Sequence, residues 1–199
     1  LQEELREAFP LPTSAEADQD SKLPVNLATV KALDLKYDNI RRRVPLLEAV
    51  IYESLRLFPT SPGNFWRSVP RGGRVLGGYF IPEGTDVGGA SAAYHHGPEW
   101  DDPWTFKPER FMGPEGEKRV HKTYYFSTGQ RQCIGKALAL MEMSLILAVI
   151  FRCFSLEVAD PSEMDKEWRH FVTLQPVDHK LQIRIRPQDE FEWGEGEVA

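Results

Sequence analysis

The apolar run over residues 137–151 places the strongest constraint on the fold of this chain. It is interrupted by Glu142 and closed by Arg152. A helix that crosses a membrane needs about 20 mostly apolar residues, so this shorter run predicts a helix inside a protein core, at about Gly135–Phe154. Its apolar positions lie all round the helix, and we therefore expect neighbours to pack on several of its sides.

Prolines and short alternating segments divide the rest of the chain. Helices are predicted over residues 1–9, Tyr37–Arg43 and Pro45–Phe58, with Pro10 and Pro59 as stop signals and Pro45 in a first helical turn. Short strands are predicted at Trp66–Val69, Arg74–Leu76 and Gly78–Ile81, coil over residues 97–116, and a final hairpin between Phe171–Leu174 and Lys180–Arg186.

The charge balance argues against one class of function. The 199 residues include 24 Lys and Arg against 30 Asp and Glu, a net charge of −6. A nucleic-acid-binding protein usually carries a basic excess or stripe, which is not found here. Acidic residues cluster at the end of the chain, so we predict a folded part over residues 1–186 and an acidic, disordered tail over residues 187–199.

The chain has two cysteines, Cys133 and Cys153. They could pair in principle, but two cysteines in a chain of this length do not make a secreted disulfide framework. No Cys or His pair has zinc-site spacing. Cys153 lies late in the apolar helix and is predicted to be a small buried hydrophobic residue.

The segment FSTGQRQCIG at 126–135 has the residue types that a thiolate ligand for haem iron requires. Gly129 and Gly135 allow unusual backbone angles and the close approach of a flat porphyrin. Cys133 precedes a predicted helix, whose positive N-terminal end favours an anionic sulfur. Arg131 can bond a haem propionate, and Phe126 can keep water from the sulfur. The alternative is a buried structural cysteine on a glycine-containing loop.

This segment resembles the haem-binding loop of the cytochrome P450 family, whose pattern is F-x-x-G-x-R-x-C-x-G. Two further motifs of the family occur upstream in the same order: E-x-x-R at Glu53 and Arg56, and P-E-R-F at Pro108–Phe111. The resemblance implies a mainly α (α+β) fold with small sheets. It also implies haem b as cofactor, with Cys133 as the axial ligand of the iron.

The resemblance also implies roles for residues outside the loop. Glu53 and Arg56 are expected to meet Arg110 in a charge network that braces the haem side of the core; the alternative is a surface pair contributing well under ~1 kcal/mol. Arg67 stands where the family often has a residue that contacts a propionate, and the alternative is a surface arginine at a strand edge. Residues 60–65 match a segment that lines the substrate side, with Asn64 and Phe65 as candidates.

His95 and His96 are adjacent, which suggests the hypothesis that they bind a metal ion. Neighbouring histidines in a strand point to opposite faces, so they do not easily chelate one ion. His95 also matches a histidine common in the family before a proline-rich stretch. A structural role is therefore favoured.

The match covers only the C-terminal part of the family's domain, and the start at Leu1 indicates a lost upstream segment. A complete member has a long distal helix with an acid–threonine pair, which this chain lacks, so no catalytic residue of that type is predicted. No signal peptide or membrane anchor is visible in the chain either. A full-length microsomal-type member would be expected in the endoplasmic reticulum membrane.

Three hypotheses follow from these motifs. The first is a piece of a haem-thiolate monooxygenase that inserts one oxygen atom of O2 into a small organic substrate and reduces the other to water. The second is a catalytically incompetent haem-binding remnant, and the third is a structural or interaction fragment. For the enzyme, the family implies an NADPH-dependent reductase as electron donor. Candidate basic residues for its docking are Arg41, Arg42, Arg43, Lys118, Arg119, Lys122, Arg131 and Lys136.

Overall fold

The computed structural model describes residues 1–10, 27–160, 162, 168–170, 173–176 and 182–187. Its helices are α1 (Gln2–Ala8), α2 (Leu27–Ala32), α3 (Tyr37–Arg43), α4 (Pro45–Leu57), α5 (Ser91–His95), α6 (Gly113–Lys122) and α7 (Lys136–Cys153). Its strands are β1 (Asn64–Ser68), β2 (Arg74–Leu76), β3 (Tyr79–Ile81), β4 (Asp86–Ala90), β5 (Phe154–Val158), β6 (Trp168–His170), β7 (Leu174–Pro176) and β8 (Ile183–Pro187). Short 3₁₀ turns lie at Pro108–Phe111 and Gly129–Arg131.

Helix α7 lies at the centre of the core and packs against α1, α3 and α4. Leu140, Ala148 and Cys153 are buried along it. The helix that the apolar run predicts is therefore confirmed. Three helices pack on it, as expected, but its burial is incomplete: Leu138 and Ile146 are 54% and 58% exposed, because α1, α3 and α4 do not cover the face that carries them.

The other predicted helices are also confirmed. Helix α1 ends before Pro10, and α4 begins at Pro45, whose missing N–H costs nothing in a first turn. Three helices were not predicted from the sequence: α2, α5 and α6. Helix α6 was not predicted because it begins with Gly113 and Pro114, residue types that usually mark turns. In the first two positions of a helix, neither residue disturbs helical hydrogen bonding. In the described parts of the chain, no helix combines the length and the apolar character needed to cross a bilayer.

The described strands form four antiparallel pairs: β1 with β4, β2 with β3, β5 with β8 and β6 with β7. In the first pair Arg67 lies opposite Val87. The predicted strands β1, β2 and β3 are confirmed within one or two residues, whereas β4 was missed because its sequence, DVGGA, lacks alternation.

The predicted C-terminal hairpin is wrong. Strand β8 pairs with β5, directly after α7, and β7 pairs with β6. Alternation of apolar and polar residues predicts where strands lie but not which strands pair. Strand β5 follows the apolar helix directly, so it was not predicted as a separate element. Residues 171–172 and 177–181 of that hairpin, and residues 188–199 of the predicted acidic tail, lie outside the described residues.

Candidate functional site

The loop that carries Cys133 is a tight turn just before α7. Its 3₁₀ turn begins at Gly129, whose φ of +66° lies in the region that favours glycine. The Cys133 N–H donates to the Phe126 carbonyl over 2.8 Å, which closes the loop across seven residues. Gly135 has an ordinary φ of −83°, so the expectation of an unusual backbone angle holds for Gly129 and is wrong for Gly135. The loop leaves the Cys133 thiol exposed and unpaired.

An open cavity of about 580 Å³ lies over this thiol. Strand β1, helix α4 and helix α7 supply its walls together with the loop. It is lined by Leu55, Thr60, Ser61, Phe65, Arg67, Tyr125, Phe126, Ser127, Arg131, Cys133, Ala139 and Met143. The cavity therefore brings together Cys133, Phe126, Arg131 and Arg67, while Gly129, Gly135 and Asn64 are not on its wall.

Two cations stand at this cavity. Arg67 donates through Nη1 to the carbonyl of Trp66 over 2.7 Å and through Nη2 to the Ser127 hydroxyl over 3.3 Å. Arg131 also lines the cavity and is exposed. Among the described residues that line the cavity there is no carboxylate, so the charge there is positive. Such a site favours a ligand with peripheral carboxylates.

The chemistry of these groups fits haem b. Leu55, Phe65, Ala139 and Met143 present apolar surface, as a flat porphyrin requires. The thiol of Cys133 is a soft donor that can reach the cavity, because it is exposed rather than packed into the core. The two guanidinium groups match two propionates in charge and in hydrogen-bonding capacity. The alternative of a buried structural cysteine is incompatible with this exposure.

A buried ion network lies behind the cavity, on α4. Glu53 accepts two hydrogen bonds from Arg56, from Nε over 2.8 Å and from Nη2 over 2.9 Å, and a longer one of 3.3 Å from Arg110 Nε. The backbone N–H of Lys107 donates to the same carboxylate over 2.8 Å. The side chains of Glu53 and Arg56 are fully buried, which is incompatible with the surface-pair alternative.

The network ties α4 to the irregular segment before α6. Arg56 Nη1 donates to the carbonyls of His95 and Pro103 over 2.8 and 2.6 Å. Arg110 Nη2 donates to the carbonyl of Asp102 over 2.7 Å. Buried charges persist only when they are paired and hydrogen-bonded. Here backbone carbonyls accept the hydrogen bonds of Arg56 and Arg110 that Glu53 does not accept. The network therefore holds coil that has no regular secondary structure of its own.

The two histidines lie at the end of a helix, not in a strand. His95 is buried among aromatic rings, and burial, with Arg56 nearby, lowers its pKa to about 4. His96 stacks on Trp104 with ring centroids 4.1 Å apart, and its Nε2 lies 3.0 Å from the carbonyl oxygen of Leu57. No group of three potential metal-binding side chains occurs within the described ranges. Cys153 is buried as predicted and unpaired, so the two cysteines do not form a disulfide.

The basic residues proposed for partner docking do not form one uniform face. Arg41, Arg42 and Lys136 line an open groove of about 970 Å³ between α3, α4 and α6. Asp38, Glu48 and Glu117 line the same groove, and Arg41 pairs with Glu48 over 3.2 Å. Arg131 lines the Cys133 cavity instead, and Lys118 pairs with Glu115. Arg43 stacks on the ring of Phe9, and the groove lining includes neither Arg119 nor Lys122.

Several cavity residues were not predicted from the sequence. Ala139 and Met143 are four residues apart on α7, so they share one face of that helix, and Leu55 lies on α4. The helical period alone would have placed the first two together. Tyr125 was missed because nothing local separates a cavity tyrosine from a core tyrosine.

Comparison with known proteins agrees with the geometry of the site. The family model described as Cytochrome P450 matches residues 32–183. Cytochrome P450 monooxygenase asqL of Emericella nidulans is 40% identical over 148 residues, which cover 72% of this chain and 30% of the relative. Pisatin demethylase of Fusarium vanettenii is 36% identical over 142 residues, which cover 68% of this chain and 28% of the relative.

The fold matches solved structures as well. The crystal structure of a cytochrome P450 (CYP102L1) superposes with a TM-score of 0.70 at 28% identity, over 94% of this chain and 37% of the other. The P450DA haem domain gives a TM-score of 0.70 at 26% identity. The chain spans less than a third of the length of the two curated relatives. With the family's ordered motifs, its fold and a family match over most of its length, this chain belongs to the cytochrome P450 family.

Proposed function

We propose that these residues form the haem-proximal part of a haem-thiolate monooxygenase, which inserts one oxygen atom of O2 into a small organic substrate and reduces the other to water. The observation that carries the proposal is the exposed thiol of Cys133 at an apolar cavity that also contains two guanidinium groups. When bound, haem b with a thiolate ligand supplies the oxygen chemistry, because the thiolate pushes electron density toward the iron and favours O–O cleavage.

The residues of this chain would have distinct tasks at the site. Cys133 would hold the iron through its sulfur, with the loop closed by the hydrogen bond to Phe126. Arg67 and Arg131 would bind the propionates and orient the porphyrin. Phe126 lies against the core next to the thiol and would exclude water from the sulfur, which tunes the potential of the site.

The substrate side would be formed in part by the segment after α4. Thr60, Ser61 and Phe65 line the cavity with Leu55, so both polar and apolar groups are present on its wall. This mixture suits a small organic molecule that is mainly apolar and carries a few polar groups. Electrons would come from an NADPH-dependent reductase, and the groove lined by Arg41, Arg42 and Lys136 would meet it with mixed charge, because Asp38, Glu48 and Glu117 line the same groove.

The test is the carbon monoxide difference spectrum of the reduced protein, expressed from the complete coding sequence that contains these residues and supplied with haemin. We expect the red-shifted band of a thiolate-ligated haem in the wild type and its loss in Cys133→Ser. Cys153→Ala is the matched control, because Cys153 is the other free cysteine and is buried. That variant should keep the band. A wild type without the band, or a Cys133→Ser variant that retains it, would refute the assignment.

Substrate turnover separates an enzyme from a haem-binding remnant. Oxidation of NADPH in the presence of a reductase, with a hydroxylated or demethylated product found by mass spectrometry, would support the monooxygenase. A thiolate band without product from any of a panel of small apolar substrates would favour the remnant. An absence of haem binding would favour an interaction fragment.

A further inference from the structure

His95 occupies an unusual place between the buried ion network and the Cys133 loop. It is the last residue of α5 and is fully buried. Its carbonyl accepts a hydrogen bond from Arg56 Nη1 over 2.8 Å. Its ring nitrogen Nε2 accepts a long hydrogen bond of 3.4 Å from the backbone N–H of Tyr124. One residue therefore contacts the network through its backbone and the start of the loop segment through its ring.

The ring of His95 is enclosed by aromatic side chains. The centroids of the Tyr124 and Tyr125 rings lie 5.1 and 5.2 Å from its own, and those of Tyr94 and Trp100 lie 5.4 and 6.1 Å away. These contacts hold the imidazole in one orientation. They also hold Tyr124 and Tyr125, which lead directly into the loop.

The segment from Tyr124 continues to Cys133 through backbone hydrogen bonds. The N–H of Ser127 donates to the Tyr124 carbonyl over 2.8 Å, and the N–H of Cys133 donates to the Phe126 carbonyl over 2.8 Å. The Tyr124 hydroxyl donates to the carbonyl of Ala90 over 2.9 Å, which ties the same segment to the end of β4. A shift of Tyr124 would therefore move the carbonyl that orients Cys133.

We propose that His95 is a positioning residue for the thiolate loop: its ring holds the segment 124–126, so that the Phe126 carbonyl stays in place to accept the hydrogen bond from the Cys133 N–H. The inference rests on the proposed function, since the loop needs this precision only if Cys133 holds an iron. It extends that function by coupling the Glu53–Arg56–Arg110 network to the site through one side chain.

Packing alone does not account for a histidine at this position. Nδ1 of His95 is buried and finds no hydrogen-bond partner among the described residues. A phenylalanine would fill a similar flat shape without a buried, unpaired nitrogen, whose burial is unfavourable. What phenylalanine cannot provide is an acceptor for Tyr124. Because burial lowers the pKa of His95 to about 4, the ring is neutral near pH 7, and the bond from Tyr124 places the remaining ring proton on Nδ1 and the accepting lone pair on Nε2.

The test compares His95→Phe, which keeps the ring and removes the acceptor, with His95→Gln, which keeps an acceptor without the ring. His96→Phe is the matched control, because it makes the same change at the neighbouring residue, whose ring stacks on Trp104 and whose Nε2 lies 3.0 Å from the carbonyl oxygen of Leu57 instead of at the Tyr124 amide. The haem-loaded proteins are mixed with excess apomyoglobin, and the rate of haem transfer is measured. The fraction of the reduced carbon monoxide complex that shows the thiolate band is recorded in parallel.

We expect His95→Phe to lose haem about fivefold faster than the wild type, the size of effect that follows from one weak hydrogen bond, with a smaller thiolate fraction and no loss of thermal stability. His95→Gln should restore the thiolate fraction at least in part, and His96→Phe should stay within about twofold of the wild type. The proposal would be overturned if His95→Phe lost haem at the wild-type rate. It would also be overturned if His95→Phe and His96→Phe lost haem equally faster than the wild type. A His95→Gln variant that loses haem as fast as His95→Phe would overturn it as well.

Amide hydrogen exchange separates this proposal from the function on which it rests. In the wild type the Tyr124 amide should exchange about fivefold more slowly than in His95→Phe, whether or not the thiolate band forms. If the band is missing from the wild type but Tyr124 shows this protection, the proposed function fails and the contact of His95 stands. If the band is present and Tyr124 exchanges equally fast in both proteins, the positioning role fails and the proposed function stands.

Discussion

Replacement of Glu53 by glutamine isolates the charge of the buried network. Glu53 accepts hydrogen bonds from Arg56 over 2.8 and 2.9 Å, from Arg110 over 3.3 Å and from the Lys107 N–H over 2.8 Å. Glutamine keeps the shape and one acceptor oxygen. Its NH2 group, however, would face a guanidinium, and the buried cations Arg56 and Arg110 would lose the carboxylate that they share.

The magnitude follows from this burial. Removing one partner from a buried ion pair typically costs about 3–5 kcal/mol, because the remaining charge is left without compensation. The side chains of Glu53 and Arg56 are 0% exposed, and that of Arg110 is 4% exposed, so solvent cannot supply the missing interaction. We therefore expect Glu53→Gln to lower the free energy of unfolding by about 3–5 kcal/mol, a large share of the stability of an ordinary domain.

The assay is urea unfolding of the purified protein, followed by circular dichroism, with Glu48→Gln as the matched control. Glu48 lies on the same helix and pairs with Arg41 over 3.2 Å, but the side chain of Arg41 is 49% exposed. Such a pair contributes about 0–1 kcal/mol, so the control should unfold close to the wild type. Equal effects of the two substitutions, or a loss below about 1 kcal/mol in Glu53→Gln, would refute the argument from burial.

Three further predictions concern the site and its supports. Arg67→Gln should accelerate haem transfer to apomyoglobin about five- to tenfold, whereas Arg74→Gln, in the separate β2–β3 hairpin, should not change it; equal rates in the two variants would contradict a propionate role for Arg67. The pKa of His95 is lowered from 6.5 to about 4, so the unfolded chain binds the proton first and stability falls as the pH drops from about 6.5 to 4, by up to about 3 kcal/mol. Denaturation at a series of pH values should show this slope in the wild type and a smaller one in His95→Phe. Gly116→Ala should destabilise the protein by about 1–3 kcal/mol in thermal unfolding, because its Cβ would lie 2.1 Å from the backbone carbon of Phe111, and an unchanged midpoint would show that α6 can shift away.

Much of the helical framework could be predicted from sequence because its signals are local. Pro45 and Pro59 bound α4, and the apolar run marks α7 to within a residue or two at each end. Strand pairing could not be predicted in the same way. The partner of β8 is β5, which follows α7 without a turn residue, and its register depends on contacts made across the fold.

The candidate site shows the same division. The spacing of Phe126, Gly129, Arg131 and Cys133 singles out one loop, and the positive φ of Gly129 is a local requirement that only glycine meets without strain. Exposure of the thiol, in contrast, is not determined by the local sequence. It depends on how α7 and β1 leave the cavity open, and the apolar character of the loop's neighbours would equally suit a buried cysteine.

The amino-acid sequence by itself determined helices α1, α3, α4 and α7, the short strands β1–β3, the thiol-bearing turn and the family motifs, because each depends on periodicity, backbone angles or spacing within a few residues. The tertiary structure alone decided which of these groups meet. It brings Arg110 to Glu53 across 57 positions, Arg67 to Ser127 across 60 and the Tyr124 amide to His95 across 29. The contacts of Glu53 and His95 form where packing of α4 and α5 excludes water, so that buried polar groups must pair within the protein, whereas the exposed bond between Arg67 and Ser127 depends on the position of β1 beside the loop.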